Sequence, residues 1–526
     1  MTEEDNSLTL TLETMDLSSW DESLLNEMEH ELLSFESYWS SLLGELFSCC
    51  HSVLVQIVWK VSIVLSLCLL CRVTHMLSYA CFKWQGRSHL VPAVLNQFLE
   101  ILSGLFLLHC FYDERYSVVL SLVGCLGLVF ALKPLRGTVL PVLTVCAAVL
   151  SYCEFAMDPE QWHQQRGSVM IVIMKAVSFS FDLKEHAEGH LSEPASDNRR
   201  LTSTFAAYRL ISWLAYSLCP ASLIFGPWFS FFRHQQRLFQ KHSHEPTGWC
   251  SIRLLVRSFA HVLSALTCAL FSLLWSTCLS SLALSQLDNE TYYYKWLNAY
   301  LASQSFRFSN YFVSYSSEAF LAALGIGYIN MDSTTELTAP TSSSRTSSNG
   351  PIHVTHMLSI EFPRSLVDVV VNWNLPMHSW LKQHVYKPIR IYGHVQAILT
   401  TYVASSLLHG LNFQLSAVLL SIGMFAYIEF VLREKLSAHW NACVASRSCG
   451  PNCGHANKSQ LWVQLCNLGF SCLAAFQLAY LAVMFDSSEQ QAQGYSMRHV
   501  LSKWSELGFV GHYVALATYL FAQCLQ

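Results

Sequence analysis

Long apolar stretches separated by short polar loops recur along almost the whole chain. A helix needs roughly 20 apolar residues to cross the hydrocarbon of a bilayer, and the pattern offers about ten such helices once two short or interrupted stretches are set aside. We therefore predict an all-α membrane bundle of about nine to eleven transmembrane helices. The candidate stretches are residues 52–71, 90–111, 116–132, 137–153, 168–181, 210–230, 254–285, 297–326, 394–411, 414–432, 461–485 and 503–524.

One of these stretches, residues 210–230, is interrupted by Pro220 and Pro227. It lies between Arg200 and Arg233, so its two ends carry the charge typical of the cytosolic side. A broken or re-entrant helix, with irregular backbone buried in protein, satisfies both observations. A proline-kinked full span is the alternative.

A second irregular stretch, residues 360–393, is apolar but interrupted by charge. This pattern favours a helix lying along the cytosolic interface, with Lys382, Lys387 and Arg390 near the lipid headgroups. The next span, 394–411, then rises to the lumen and carries His409 near its end.

Composition supports the membrane assignment. Hydrophobic residues make up 52% of the chain and charged residues 13%, against about 25% charged in an ordinary globular protein. Residues 1–59 contain no Lys or Arg, so the basic start of a cleavable signal peptide is missing and the first span is expected to remain. We expect residues 1–50 to form an acidic lumenal tail with one short amphipathic helix near 24–33, and residues 51–526 to form the membrane domain.

Lys and Arg gather in three loops that we assign to the cytosol, because basic residues of short loops stay on that side. This places the C-terminus in the cytosol and the glycosylation sequon at Asn289 in the lumen. Residues 331–350 are rich in Ser and Thr and are predicted to form a flexible cytosolic insert. The three basic groups are Arg72, Lys83 and Arg87; Arg233, Arg237, Lys241, Arg253 and Arg257; and Arg433, Lys435, Arg447 and Lys458.

His409 and Asn374 are the first candidates for chemistry. A histidine in a membrane segment costs free energy to bury and is a functional candidate by default, and a neutral imidazole is the usual general base near pH 7. Asn374 can donate and accept hydrogen bonds at once. The alternative for both is structural: a polar side chain that only joins two neighbouring helices.

The predicted cytosolic loop 433–460 is rich in cysteine. Cys443, Cys449, Cys453 and His455 are enough for a Cys₃His zinc site, although their spacing is looser than that of a CxxC knuckle. Free thiols and S-acylated cysteines are the other interpretations. A disulfide is disfavoured on the cytosolic side.

Several blocks of sequence resemble the membrane-bound O-acyltransferase family, over roughly residues 51–526. Within that family they are most similar to the enzymes that acylate secreted Wnt proteins. The blocks are WHQQRGSVMIVIMKAVSFSFDL (162–183), IFGPW (224–228), FRFSNYFVSYSSEAF (306–320), EFPRSLVDVVVNWNLPM (361–377), the LLHG around His409 and QGYSM…HVLSKWSEL (493–507).

The resemblance implies a function. The family's polar signature, an Asn or Asp followed by a His in a leucine-rich helix, falls on Asn374 and His409. The implied reaction transfers palmitoleate from palmitoleoyl-CoA, a substrate rather than a bound cofactor, to a serine of Wnt in the endoplasmic reticulum membrane. His409 would act as general base and Asn374 as the positioning residue. Membrane lipid is the other expected partner, and nucleic acid is not expected.

The resemblance also implies where the substrates lie. The predicted topology puts Lys382, Lys387 and Arg390 on the cytosolic side, where they are expected to meet the phosphates of coenzyme A. A positive-inside charge cluster explains these three residues equally well. Residues 225–228 and the polar run 307–315 are expected to line a tunnel. The remaining predicted substrate contacts are Trp373, Trp380, Tyr402 and Ser405.

Two other functions compete with this one. A transporter or lipid-binding scaffold would use the same broken helix as a midplane site, although the sequence contains no inverted repeat and no paired intramembrane charges. A family member that acylates another lipid or protein is the alternative within enzymes.

Overall fold

The computed structural model describes residues 22–84, 90–132, 139–188, 206–239, 249–280, 282, 292–326, 352–410, 412–450, 453–485 and 497–525. The chain divides into two compact units, residues 1–55 and 56–526. Within the described ranges the regular structure is helical, and the only β pairing is an isolated bridge between Ala442 and Asn457. The all-α prediction is confirmed.

Eighteen α-helices are described, and three further short helical turns interrupt or extend them. The turns are two π-helical segments, Trp275–Leu279 and Lys382–Tyr386, and the 3₁₀ turn Arg390–Tyr392. The helices are α1 Glu22–Trp84, α2 Leu90–Tyr112, α3 Ser117–Ala131, α4 Val139–Phe155, α5 Pro159–Glu188, α6 Ala206–Ser217, α7 Phe231–Phe239, α8 Trp249–Leu274, α9 Tyr292–Leu324, α10 Met357–Glu361, α11 Leu366–Trp373, α12 Leu375–Leu381, α13 Lys387–Ile389, α14 His394–Leu408, α15 Phe413–Trp440, α16 Leu461–Ala482, α17 Met497–Glu506 and α18 Val510–Cys524.

The described part of the first unit is helical from Glu22 onward. The prediction of one short helix near 24–33 was therefore wrong in its extent. The sequence from 22 to 84 contains no proline and a single glycine, Gly44, so no residue stops the helix once it has begun. Apolar side chains of this unit are exposed, among them Leu32, Phe35 and Phe47.

Among the described residues, five helices are long and apolar enough to cross a membrane, or six if the bent pair α17 and α18 counts as one span. The multi-pass membrane prediction is confirmed. Other predicted spans are shorter apolar helices, α3 and α4, or carry inward charges such as Lys175 of α5 and Glu318 of α9. The five long spans are His30–Ser78, Val91–Tyr112, Val256–Leu279, Phe413–Trp440 and Leu461–Ala482.

The stretch with two prolines is a broken helix, as predicted. Between α6 and α7 the backbone of residues 218–230 is not α-helical and is mostly buried. Lys175 of α5 donates hydrogen bonds to the Tyr216 carbonyl oxygen at 2.6 Å and to the Ser222 hydroxyl at 2.7 Å. Ser168 donates to the Leu223 carbonyl oxygen at 2.7 Å. Side chains of α5 thus replace the helical hydrogen bonds that the break removes.

Two predicted helices are more interrupted than the apolar pattern indicated. The interfacial helix of residues 360–393 is a series of short helices, α10 to α13, because proline and capping residues break it repeatedly. The final span bends by 74° between α17 and α18. At this bend Gly508 and Phe509 both adopt the left-handed conformation, with φ of 62° and 52°.

Two large apolar cores form the second unit. The first contains buried residues of α2 to α6 together with Trp380 and Leu408. The second is built mainly from α9, α11, α15, α16 and α17, and Trp373 packs against it. Asn374 follows Trp373 directly, while Met377 packs against the first core, so Asn374 lies where the chain passes from one core to the other.

Candidate functional site

Asn374 is the single residue between α11 and α12. Its side-chain oxygen accepts the Met377 backbone N–H at 3.0 Å, and its backbone carbonyl accepts the His378 N–H at 2.9 Å. Pro376 in the first turn of α12 suits a helix start. The side chain is half-buried. Asn374 therefore caps α12 through its oxygen, which leaves the amide nitrogen as the donor for another partner.

His409 stands directly after the last residue of α14. Its backbone N–H bonds to the Ser406 carbonyl at 3.1 Å, and Gly410 ends the helix with a φ of 90°. A Cβ added at Gly410 would lie 3.1 Å from a Glu154 carboxylate oxygen and 3.4 Å from the Trp162 ring. The helix end thus packs closely on α4 and α5. The His409 side chain is half-buried, with Arg166 of α5 as its electrostatic neighbour.

The helices next to Asn374 and His409 pack against each other. The helix that begins after Asn374, α12, packs against α14, the helix that ends before His409. Trp380 of α12 donates its indole N–H to the Met174 carbonyl of α5 at 2.9 Å. Since α5 also contacts the His409 end through Trp162, this helix supports both residues.

A histidine that the sequence reasoning missed lies beside Trp380. His384, in the π-helical turn after α12, packs against the rings of Phe181, Trp380 and Trp228, with ring centroids 5.0, 5.5 and 6.1 Å away. Its Nε2 atom is buried and has no hydrogen-bond partner among the described residues. The available signal was a histidine inside the interrupted apolar stretch, four residues after Trp380. This aromatic cage holds an unused imidazole nitrogen.

The three predicted phosphate-binding residues are all exposed, and all lie just before α14. Lys382 is in the π-helical turn, Lys387 begins α13 and Arg390 begins the 3₁₀ turn. Because α14 has 15 residues, at 1.5 Å per residue the basic patch and His409 are separated by about 22 Å along its axis. They therefore lie at opposite ends of this helix.

Three other predicted substrate contacts are packed or buried within the helices. The Tyr402 ring lies on the backbone of α15, where a Cβ at Gly423 would be 2.7 Å from it. Ser405 is buried within α14. Trp373 stacks on Phe306 with centroids 6.2 Å apart. Of the predicted contact residues, Trp380 is the one that the structure joins to α5 by a hydrogen bond.

The polar run 307–315 is engaged with α10. Arg307 donates two hydrogen bonds to Glu361, at 2.8 and 2.9 Å, and the Tyr311 hydroxyl donates to the same carboxylate at 2.8 Å. Phe225 of the broken segment contacts Phe312, with centroids 6.2 Å apart. The polar run and the broken segment are thus neighbours. Arg307 and Tyr311 of the run are, however, hydrogen-bonded to Glu361.

The predicted cysteine and histidine set is gathered at one point. The ligand-type atoms of Cys443, Cys449, Cys453 and His455 all lie within 4.8 Å of one another. Hydrogen bonds with His455 and Cys443 lower the pKa of the Cys453 thiol to about 7. The predicted glycosylation site Asn289 and the insert 331–350 lie outside the described residues.

A second polar cluster was not predicted. His261 of α8, Glu318 of α9 and His353 place their ligand-type atoms within 4.8 Å of one another. The Glu318 carboxylate also accepts the Val354 backbone N–H at 2.6 Å, and its hydrogen bond with His353 raises the pKa of that imidazole. The cluster therefore fastens the segment before α10 to the bundle.

The chain is similar to known acyltransferases over nearly its whole length. Residues 127–435 match the model of MBOAT, the membrane-bound O-acyltransferase family. Protein-serine O-palmitoleoyltransferase porcupine of Homo sapiens is 32% identical over 88% of this chain and 93% of its own length. The protein of the same name from Anopheles gambiae is 34% identical over 69% and 70%, and that from Drosophila melanogaster 31% over 91% and 86%.

Proposed function

The chain belongs to the membrane-bound O-acyltransferase family, and from that premise we propose that it transfers palmitoleate from palmitoleoyl-CoA to a serine hydroxyl of Wnt proteins in the endoplasmic reticulum. The similarity to three protein-serine O-palmitoleoyltransferases supports the donor and the acceptor. The structural observation that carries the proposal is the packing of α12, which follows Asn374, against α14, which precedes His409.

In this reaction His409 takes the proton of the attacking serine. The serine oxygen forms an ester bond to the acyl carbon, the bond between that carbon and sulfur breaks, and coenzyme A leaves as its thiol after gaining a proton. A positioned general base contributes about 10²- to 10⁴-fold to such a step. Gly410 supports this role, because it lets the chain turn immediately after the imidazole.

Asn374 would position the acyl carbonyl or the serine through its amide nitrogen, because its oxygen is already the cap of α12. The donor would enter from the basic patch at the other end of α14, where Lys382, Lys387 and Arg390 are exposed. A path of about 22 Å along α14 then separates the phosphates of the donor from the reacting carbonyl, and Trp380 and His384 lie on the α12 side of this path.

The test is transfer of alkyne-tagged palmitoleoyl-CoA to a Wnt hairpin peptide by the full chain in detergent. We expect wild type to label the peptide, and a peptide with Ala in place of its acceptor Ser to stay unlabelled. His409→Ala should lower labelling by about 10²-fold or more. The matched control is His439→Ala, since His439 is exposed at the end of α15.

Each outcome separates the competing functions. If His409→Ala labels as well as wild type, His409 is structural and another base acts. If wild type labels a lipid but not the peptide, the acceptor belongs to another class. If folded wild type labels neither, the transporter or scaffold function is favoured over the enzyme.

The basic patch is tested separately. Changing Lys382, Lys387 and Arg390 together to Gln should raise the KM for palmitoleoyl-CoA, and an unchanged KM removes these residues from the binding site.

A further inference from the structure

Four metal-ligand side chains converge in the loop between α15 and α16. The Cys443 sulfur lies 3.5 Å from the Cys453 sulfur and 3.6 Å from the His455 Nδ1 atom. The Cys449 sulfur lies 3.5 Å from the same Nδ1 atom. All four side chains are half-buried, so the cluster is partly shielded from solvent.

These separations match the edges of a zinc tetrahedron. With Zn–S bonds of about 2.3 Å and Zn–N bonds of about 2.0 to 2.1 Å, tetrahedral geometry places two sulfur ligands about 3.8 Å apart and sulfur and nitrogen about 3.6 Å apart. A disulfide would require the sulfurs of Cys443 and Cys453 to approach to about 2.05 Å. At 3.5 Å the two thiols are instead spaced as ligands of one ion.

The histidine also has the outer contact that zinc ligands require. The Nε2 atom of His455 lies 3.3 Å from the Ser437 hydroxyl of α15, while Nδ1 faces the sulfurs. A hydrogen bond to the far nitrogen fixes the ring and its tautomer in metal sites. The ring of His455 is thus oriented from outside the cluster.

The backbone of the loop is held in place by two arginines. Arg433 of α15 donates to the Val444 carbonyl at 2.7 Å and to the Ala445 carbonyl at 3.2 Å. Arg364 donates to the Cys443 carbonyl at 2.7 Å. The isolated bridge at Ala442 and Asn457 closes the two ends of the loop. The backbone at Cys443 and the two ends of the loop are therefore held in place.

From these contacts we propose that Cys443, Cys449, Cys453 and His455 bind one structural Zn²⁺ ion. Four protein ligands fill the tetrahedron and leave no open position, so the ion is not catalytic. Binding takes up thiolates and releases their protons, without any redox change.

The site has a structural role toward Asn374. Arg364 and Ser365 stand immediately before α11, and Ser365 donates to the Ser446 carbonyl at 3.0 Å. The loop that carries the four ligands, residues 441–460, therefore fixes the start of α11. Asn374 follows the last residue of that eight-residue helix. Loss of the ion should loosen α11 and the position of Asn374 with it.

The experiment is metal analysis of the full chain purified in detergent without chelators. We expect about one zinc per chain in wild type and less than about a tenth of that in Cys449→Ser and in His455→Gln. The control, Cys472→Ser, changes an exposed free thiol of α16 and should retain full zinc. Wild-type protein without zinc, or full zinc in both ligand variants, overturns the proposal.

A second measurement keeps the test independent of variant folding. Wild-type protein is alkylated with a thiol reagent before and after treatment with a zinc chelator, and the modified cysteines are identified by mass spectrometry. We expect the three loop cysteines to react only after chelation. Modification without chelation, or a hydroxylamine-sensitive acyl group on any of the three, shows free or S-acylated thiols and overturns the site.

Discussion

The indole nitrogen of Trp380 donates to the backbone carbonyl oxygen of Met174 across 2.9 Å. This bond fastens the short helix after Asn374 to the long α5 helix. Trp380 is 4% exposed, so water cannot replace this hydrogen bond when it is removed.

Trp380→Phe should therefore lower the free energy of unfolding by about 1 kcal/mol, because the donor is lost while the ring is largely kept. The apparent unfolding temperature in detergent measures this effect. Trp59→Phe is the matched control, since Trp59 is 70% exposed and should leave that temperature unchanged. Equal unfolding temperatures for both variants would show that the bond to Met174 does not stabilise the fold.

Gly410→Ala should reduce acyl transfer at least about tenfold, because a displacement of about 1 Å at a catalytic group can cost 10²-fold. The new methyl would meet Glu154 and Trp162, and φ is 90° at this residue. Gly469→Ala is the control, as its Cβ meets nothing within 4 Å. The initial rate of peptide labelling is the measurement, and a rate equal to that of the control contradicts the role of the turn.

Asn374→Asp separates the two proposed roles of Asn374, the cap of α12 and the amide donor to the substrate. The carboxylate keeps the oxygen that caps α12 but removes the amide donor, so stability should be retained while transfer falls. Asn374→Ala also removes the cap and should cost about 1 kcal/mol in addition. Unfolding temperature and labelling rate are measured together. Full activity of Asn374→Asp would reduce Asn374 to a helix cap.

The pair of Arg307 and Glu361 should behave as a coupled unit. Their side chains are 4% and 11% exposed, and removing one partner of a buried pair typically costs about 3 to 5 kcal/mol. We expect Arg307→Met to be strongly destabilised and the double variant with Glu361→Met to recover much of the loss. A double-mutant cycle of unfolding free energies checks this, and additive effects would contradict the coupling.

His384→Phe should be at least as stable as wild type, because it removes a buried nitrogen that has no partner. If that nitrogen meets the donor, the same variant raises the KM for palmitoleoyl-CoA. The exposed His439 provides the control as His439→Phe. A large fall in unfolding temperature, with KM unchanged, would assign His384 to packing alone.

The apolar pattern predicted the helical bundle, the two prolines predicted the broken segment, and the cysteine spacing predicted the grouping of ligands near Cys443, because each depends on local sequence. The interruptions at Asn374 and Phe509 were not predicted, since they depend on caps and left-handed residues that apolar periodicity does not register. His384 was missed for another reason. Its aromatic partners Phe181 and Trp228 are distant in sequence, so the cage exists only in three dimensions.

The basic residues show a further limit of sequence reasoning. Arg237 and Arg433 were counted among the loop charges that orient the chain, yet both are buried. Arg237 donates to Glu100 and Arg433 to Glu429. Glu100, Glu429 and Arg433 lie in candidate membrane spans, so the expectation of no paired intramembrane charges was wrong. Sequence alone does not distinguish a cation paired inside the bundle from a solvated one. The orientation of the chain in the membrane therefore stays a prediction.

The buried Lys175 imposes an order on synthesis. Its acceptors at Tyr216 and Ser222 follow it by 41 and 47 residues, and at about 5 to 20 residues per second the ribosome makes them roughly 2 to 9 s later. During that interval the ammonium group has neither acceptor. We therefore expect α5 to pack into the bundle with its ammonium group bound only after residues 216–222 have been translated, so the start of the broken segment sets the earliest moment of that packing.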